Sequence, residues 1–256
     1  MDMKSQLVNL DDHIRSSIAG CHPLLTELSA PLFAVDSRNR PDLFATCVAI
    51  SLNGRIYLVT AAHAVCQIER AGSEVHVGKK QILVVPSKFF RTSVDGEDPL
   101  DVATVEISAE FAKKVGISIV EESQLMVRRY FENPHFYCMH GYPLTKNKPF
   151  KSINAAKKVV NTYAFTFAGA ENRNPDYRHN SRSEHTHIGL SYQLGKNEEG
   201  AKVNLPKPKG MSGGGLWIVP NSFESSLIFL GGILIEHHRK NILATRIEKI
   251  VELLNY

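Results

Sequence analysis

The chain has 256 residues, of which 43% are hydrophobic and 22% are charged, and its formal net charge is +4. This composition is ordinary for a globular protein that buries a substantial core. The net charge is small, and the sequence contains no dense block of lysine and arginine. It therefore lacks the basic stripe expected of a nucleic-acid-binding protein.

The beginning of the chain predicts a cytoplasmic protein with no membrane partner. Residues 1–19 lack the long apolar core of a secretory signal, and no apolar run reaches the length of a membrane span. No CxxC pair occurs, so neither a zinc site nor any other metal is expected. In a reducing compartment the four cysteines are expected to be thiols: Cys21, Cys47, Cys66 and Cys138. In an oxidising compartment, Cys47 and Cys66 would be the pair to test, because both flank the strands that lead to His63.

The first half of the chain is predicted as a helical extension followed by a β lobe. In residues 1–28, apolar side chains recur at helical spacing (Leu7, Leu10, Ile14, Ile18), which predicts a short amphipathic helix on the outside. Residues 29–128 contain short apolar runs separated by turns. The turn pair Asn53-Gly54 is the strongest hairpin signal among them. The runs predicted as strands are 31–35, 44–52, 55–60, 75–77, 81–85 and 102–107.

A second set of strands is predicted in residues 129–240, after a linker around 110–127. The runs predicted as strands are 136–140, 159–167, 188–193, 216–219 and 227–235. The polar stretch 172–187 is predicted as an exposed loop. Residues 241–256 are predicted as a C-terminal helix, because Ile247, Ile250, Val251 and Leu254 recur at i, i+3, i+4 and i+7. The pattern therefore predicts an all-β fold in two halves with a helix at each end.

Three short segments carry residue types that suggest covalent catalysis. A β-forming run ends in Ala61-Ala62-His63, which leaves an imidazole at a strand end. Asp101 opens another predicted strand, and Ser212 lies in the glycine-rich turn 210–215. Each signal alone is weak. Together, in this order on an all-β background, they predict one site with His63, Asp101 and Ser212 as a catalytic triad.

The chemistry explains why these residue types belong together. A serine hydroxyl is a weak nucleophile and needs a neighbouring base, for which histidine titrates in the right range. A buried aspartate holds the imidazole in one tautomer and stabilises its cation. The attacked carbonyl becomes an oxyanion, which needs backbone N–H donors. The predicted donors are the amides of Gly210 and Ser212, because flanking glycines allow the unusual turn that points them inward.

These motifs resemble those of the chymotrypsin/trypsin-like serine peptidase family in its short prokaryotic or viral-style forms. Residues 60–63 are similar to the family's histidine motif, 101–103 to its aspartate motif and 210–214 to its serine motif. Residues 230–233 resemble the strand that follows the serine and lines the cleft. The resemblance covers residue 30 to the C-terminus with low similarity between motifs. It implies two six-stranded antiparallel barrels, with the site in the cleft between them.

The sequence departs from secreted members of that family immediately before the serine. Those members carry an aspartate there, which pairs with a new N-terminus after cleavage, whereas this chain has Met211. Activation by that route is therefore not expected, and residues 1–28 need not be removed. Any control is expected from loop ordering or from an activating protein partner.

A rival interpretation of the serine motif is the nucleophile elbow of α/β-hydrolases, which Gly210-x-Ser212-x-Gly214 also fits. That elbow needs a strand before the serine and a helix after it. Here Pro206 and Pro208 precede the serine and a predicted strand follows. The sequence therefore does not favour an α/β-hydrolase.

Substrate selection is less constrained by the sequence. The resemblance implies a cleft wall built by Ile235, Glu236 and His237. Glu236 either favours a basic side chain at the cleaved residue or is an ordinary surface glutamate at a strand end. His185 and His187 alternate as two metal ligands would, but no third ligand is evident and a solvated loop is preferred.

The function predicted is a serine endopeptidase that acts on proteins or peptides through an acyl-enzyme, without a cofactor. An alternative from another class is a trypsin-like fold used as a binding module, either catalytically silent or activated by a partner. Its candidate docking surfaces are the N-terminal extension and the polar loop 172–187. A third interpretation is an esterase acting through the same residues.

Overall fold

Two curled, mainly antiparallel sheets contain most of the strands in this computed structural model. The structure describes residues 3–35, 40–92, 98–126, 135–147, 162–169, 171–172, 175, 182–192, 195–196, 202–203, 206–220, 228–238 and 241–255. The all-β, two-lobe architecture predicted from the strand pattern is confirmed. Within the described residues, no helix is both long and apolar enough to cross a bilayer, and the cytoplasmic location stays a prediction.

The first sheet follows the N-terminal helix and has two short helices beside it. Seven of its strands run in the order β5-β4-β1-β2-β3-β7-β6, and β8 pairs with β2 in parallel. Its elements are α1 (Met3–Leu28), β1 (Ser29–Val35), β2 (Pro41–Leu52), β3 (Arg55–Ala61), α2 (Ala62–Arg70), β4 (Val75–Val77), β5 (Leu83–Val84), β6 (Phe90–Arg91), β7 (Val102–Ile107), α3 (Ala109–Val115), β8 (Ile119–Val120) and a 3₁₀ turn (Glu122–Gln124).

The second sheet has six strands in the order β10-β9-β14-β15-β16-β11, with β12 and β13 forming a separate pair. Its elements are β9 (His135–Gly141), β10 (Phe165–Gly169), β11 (His187–Ser191), β12 (Gly195–Lys196), β13 (Lys202–Val203), β14 (Gly215–Pro220), β15 (Phe229–His238), β16 (Asn241–Arg246) and α4 (Ile247–Leu254).

The β2–β3 hairpin has the turn that its sequence predicts. Asn53 and Gly54 both have positive φ, at 51° and 75°, as a type I′ turn requires. The strands on either side then pair from Leu52↔Arg55 through Val48↔Val59. This hairpin continues directly into the His63 segment, so its register determines where the histidine lies.

The predicted C-terminal helix over 241–256 is wrong for its first six residues, which form β16. Residues 241–246 pair with β15 on one side and β11 on the other, and only the helical periodicity from Ile247 onward continues as α4. A short mixed segment such as 241–246, with three consecutive apolar residues at 242–244, fits either structure locally. The segment forms a strand because the edges of β15 and β11 are both available to pair with it.

The polar stretch 172–187 was predicted as an exposed loop, which is right for Glu184 and His185, exposed in a turn, and wrong for two other described residues. Arg182 and His187 are buried, with 6% and 1% of their surface exposed. Both are buried because each has polar partners there: Arg182 pairs with Glu236, and His187 hydrogen-bonds Thr186 at 2.7 Å. Residues 173–174 and 176–181 lie outside the described residues, as do residues 159–161 of a predicted strand.

The N-terminal helix α1 is longer than the short helix predicted, and its last turns belong to the core. Cys21, Leu25 and Leu28 are buried in a cluster that also contains Val48 of the first sheet and Trp217 of the second. The two sheets and both terminal helices therefore share one apolar core, which keeps the cleft walls in a defined relative position.

Candidate active site

His63 lies at the junction where β3 becomes α2. The residue before the helix, Ala61, has no side chain that caps it, and the backbone N–H of His63 donates instead to Asp101 Oδ1 at 2.8 Å. A carboxylate is favourable there because the unpaired N–H groups give a helix N-terminus partial positive charge. Asp101 therefore caps α2 from a neighbouring strand 38 residues away.

The other oxygen of the same carboxylate binds the imidazole. Asp101 Oδ2 lies 2.7 Å from His63 Nδ1, and the side chains are 10% and 49% exposed respectively. A proton on Nδ1 donates to this carboxylate and leaves Nε2 as an acceptor. Asp101 has a φ of 52°, a left-handed conformation that aspartate tolerates better than most residues. The arrangement is the one that holds a histidine ready to accept a proton.

The turn that carries Ser212 requires glycine on both sides of it. Gly210 and Gly213 have φ values of 93° and 84°. A Cβ on Gly213 would lie 2.1 Å from both Thr46 O and Thr60 Oγ1, so no other residue fits without moving the first sheet. Close approach of the two lobes thus depends on this glycine.

Two backbone N–H groups of the turn have no acceptor within the part of the chain that the structure describes. The amides of Met211, Gly213 and Gly214 donate to backbone carbonyls at 2.8, 2.6 and 2.8 Å. Among the described residues, the amides of Gly210 and Ser212 donate to none. These are the two donors that the sequence predicted for an oxyanion. Unpaired donors beside a serine are the feature that stabilises a developing negative charge.

Thr46 of β2 holds the serine turn from the opposite lobe, and the sequence analysis missed it. Its N–H donates to Ser212 O at 2.9 Å, and its hydroxyl donates to Gly210 O at 2.8 Å. The same hydroxyl accepts from Tyr142 N at 3.0 Å, and Thr60 donates to Thr46 O at 2.7 Å. No local signal indicates this role, because Thr46 and Gly210 are 164 residues apart.

His63, Asp101 and Ser212 all line one cleft of about 430 Å³. The structure therefore brings the three predicted residues together. Among the hydrogen bonds of the described residues, none joins the Ser212 hydroxyl to His63. Such contacts are commonly long in a ligand-free site and tighten when substrate binds.

The three residues predicted for the cleft wall also line this cleft. Their environments differ from those expected. Ile235 is only 1% exposed and packs in the core beside Leu243, because a β-bulge shifts the β15–β16 register between Leu234 and Glu236. Glu236 is not an ordinary surface glutamate, since its side chain is 14% exposed and paired with Arg182. His237 is exposed, with its ring 5.3 Å from that of Tyr192.

The described cysteines are free thiols, and the pair singled out by sequence is not bonded. Cys47 is fully buried and burial raises its pKa to about 12, while Arg91 donates to Cys66 Sγ at 2.8 Å. Within the described residues, no group of three or more histidine, cysteine or acidic side chains is arranged to hold a metal ion.

Comparison with known proteins yields only distant structural similarity. No protein-family model and no curated protein sequence matches the chain. Similar solved structures include the serine protease domain of the Sesbania mosaic virus polyprotein, at 14% identity, with 88% of this chain and 91% of that one covered and a TM-score of 0.48. Another comes from work on aromatic interactions in the coupled folding and binding of the disordered Sesbania mosaic virus VPg protein. It shows 15% identity, 89% and 95% coverage and a TM-score of 0.49. At these values the similarity carries no argument about function.

Proposed function

We propose that the protein is a serine endopeptidase of the chymotrypsin/trypsin-like class, with His63, Asp101 and Ser212 as its triad. The observation that carries this proposal is the joint presence in one cleft of a carboxylate-bound imidazole and a serine. The amides of Gly210 and Ser212, which have no acceptor among the described residues, add the electrostatic element that acyl transfer needs.

In the proposed reaction, Ser212 Oγ attacks the scissile carbonyl carbon while its proton passes to His63 Nε2. The carbonyl oxygen becomes an oxyanion held by the Gly210 and Ser212 amides. His63 then gives the proton to the departing amine, which leaves an acyl-enzyme on Ser212. Water, deprotonated by His63, releases the acid and restores the serine. Asp101 orients the imidazole throughout and stabilises its cation, and the cycle needs no cofactor.

The direct test is covalent labelling with a fluorophosphonate, which reacts with an activated serine. We expect the wild-type protein to be labelled and Ser212→Ala to be unlabelled and unable to hydrolyse peptides. Ser118→Ala is the matched control, because Ser118 is exposed and lies at β8. Labelling that persists in Ser212→Ala, or that disappears in Ser118→Ala, would contradict the assignment. Parallel peptide and ester libraries separate an endopeptidase from an esterase.

One observation favours a second candidate, a module whose site is completed by a partner protein. Among the hydrogen bonds of the described residues, none joins the hydroxyl of Ser212 to the imidazole of His63. On this hypothesis the folded protein alone resists the fluorophosphonate and reacts only after a partner docks. Labelling of the isolated wild-type protein would contradict the requirement for a partner.

A further inference from the structure

An ion pair forms part of the cleft wall. Arg182 Nη1 contacts Glu236 Oε2, and both residues line the cleft. Their side chains are only 4% and 14% exposed. The pair joins the segment before β11 to strand β15, across 54 residues of sequence. The ion pair is therefore a buried part of the cleft wall and not a solvent-exposed surface contact.

Burial makes this pair hard to separate. Each charge has lost much of its hydration, and its partner compensates for that loss. A substrate ammonium group that bound Glu236 would have to compete with Arg182 for that carboxylate. A substrate carboxylate that bound Arg182 would have to compete with Glu236. Either charged side chain therefore meets a penalty that an uncharged side chain avoids.

The remainder of the wall is apolar and buried. Met211, Leu234, Ile235 and Ile242 line the cleft, with 1%, 2%, 1% and 3% of their surface exposed. Apolar surface of this kind gains from removing an apolar side chain from water. Lys209 and His237 also line the cleft and are exposed, so solvent and salt screen a charge on either side chain.

We infer that Arg182 determines substrate specificity by neutralising Glu236, so that the cleft accepts an uncharged side chain at the cleaved residue. This inference rests on the proposed peptidase function and deepens it. It reverses the simplest expectation for Glu236, which alone in the wall would attract lysine or arginine. Arg182 thus neutralises the charge of Glu236. Removing Arg182 should let Glu236 favour a basic side chain at the cleaved residue.

A four-protein comparison tests the inference: wild type, Arg182→Gln, Glu236→Gln and the double variant. Each is profiled for kcat/KM on peptides that differ only at the cleaved residue, with leucine, glutamine, lysine and glutamate there. We expect wild type and the double variant to prefer the uncharged residues. Arg182→Gln should gain about tenfold or more for lysine relative to leucine, and Glu236→Gln should gain similarly for glutamate.

Arg182→Lys is the conservative control and should keep the uncharged preference, because it retains the positive charge. Fluorophosphonate labelling of each variant shows that its site is folded, and the two single variants carry opposite predictions in case one does not fold. Labelled variants with unchanged profiles would overturn the role of Arg182 and leave the peptidase standing. Wild type that prefers a charged residue would also overturn it. Wild type that neither labels nor cleaves would overturn the peptidase proposal and this inference with it.

Discussion

The two carboxylate oxygens of Asp101 bind two different nitrogens of His63, one in the backbone and one in the imidazole. A single residue therefore fixes both the start of α2 and the orientation of the ring. Because one carboxylate holds both the backbone and the ring of His63, the imidazole is fixed even though it lies on a short helix and not on a strand. Its position depends on a contact that also stabilises the helix.

Replacing Asp101 with asparagine tests this double role. An amide can donate to Nδ1 and select the wrong tautomer, so we expect kcat to fall by roughly 10⁴-fold in peptide hydrolysis. Asp42→Asn, on an exposed position of β2, is the control and should leave kcat unchanged. Full activity in Asp101→Asn would show that the carboxylate does not orient a catalytic base.

Gly213 offers a second test at the scale of one residue. We expect Gly213→Ala to lower the free energy of unfolding by about 2 kcal/mol or more, measured by urea denaturation, because a methyl group there meets Thr46 O at 2.1 Å. Gly54→Ala is matched in conformation, with a φ of 75°, but its Cβ would have no atom within 4 Å. Equal losses in the two variants would mean that backbone strain, and not the close approach of the lobes, limits this position.

At the scale of elements, β2 is the strand that ties the lobes together. It pairs with β1 and β3 in the first sheet, and through Thr46 it also binds the serine turn of the second. The geometry of the proposed oxyanion site therefore depends on a residue from the other lobe. Thr46 is a positioning residue, since its hydroxyl contacts the turn and not the reacting atoms.

Thr46→Val removes the hydroxyl and keeps the shape of the side chain. It leaves Gly210 O and Tyr142 N without a partner, so we expect a loss of about 1–3 kcal/mol in unfolding free energy. We also expect a fall in kcat with little change in KM, because the displaced amides act on the transition state. Thr46→Ser should restore both values. A normal kcat in the stable valine variant would argue against a positioning role.

The prediction of elements from sequence succeeded where a local preference was strong. The Asn53-Gly54 hairpin and the apolar face of α4 follow from backbone and periodicity rules alone. It failed at β6 and β8, which are two residues long and carry no periodicity, and at β16, where neighbouring strands decide. Short pairings of this kind depend on the sheet edge that is available, which the local sequence does not contain.

For the molecule as a whole, two buried histidines link stability to pH. Burial lowers the pKa of His140 to about 3 and, as the main cause, that of His187 to about 4, from the ordinary value of 6.5. His140 lies on β9, with its ring 5.6 Å from that of His22 on α1. Its Nδ1 lies 2.7 Å from Thr166 Oγ1, and His22 Nδ1 contacts the same hydroxyl at 2.7 Å. Protonation of either buried imidazole therefore opposes the folded state.

We expect the free energy of unfolding to fall as the pH drops below 6.5. The unfolded chain then binds protons that the native chain does not, down to about pH 4 for His187 and pH 3 for His140. The limiting slope is about 1.4 kcal/mol per pH unit for each histidine, and it fades to nearly zero by about pH 8. Urea denaturation at pH 7, 6 and 5 measures it. His140→Gln should show a shallower decline, and identical slopes in the two proteins would contradict this account.

The sequence by itself determined which residues can do chemistry and where the chain turns, because side-chain type, glycine conformation and strand periodicity are local properties. It therefore predicted His63, Asp101 and Ser212, and those residues do line one cleft. Only the tertiary structure decided that Thr46 holds the serine turn and that Arg182 pairs with Glu236. These contacts join segments far apart in the chain, and their energies exist only once burial removes the competing water.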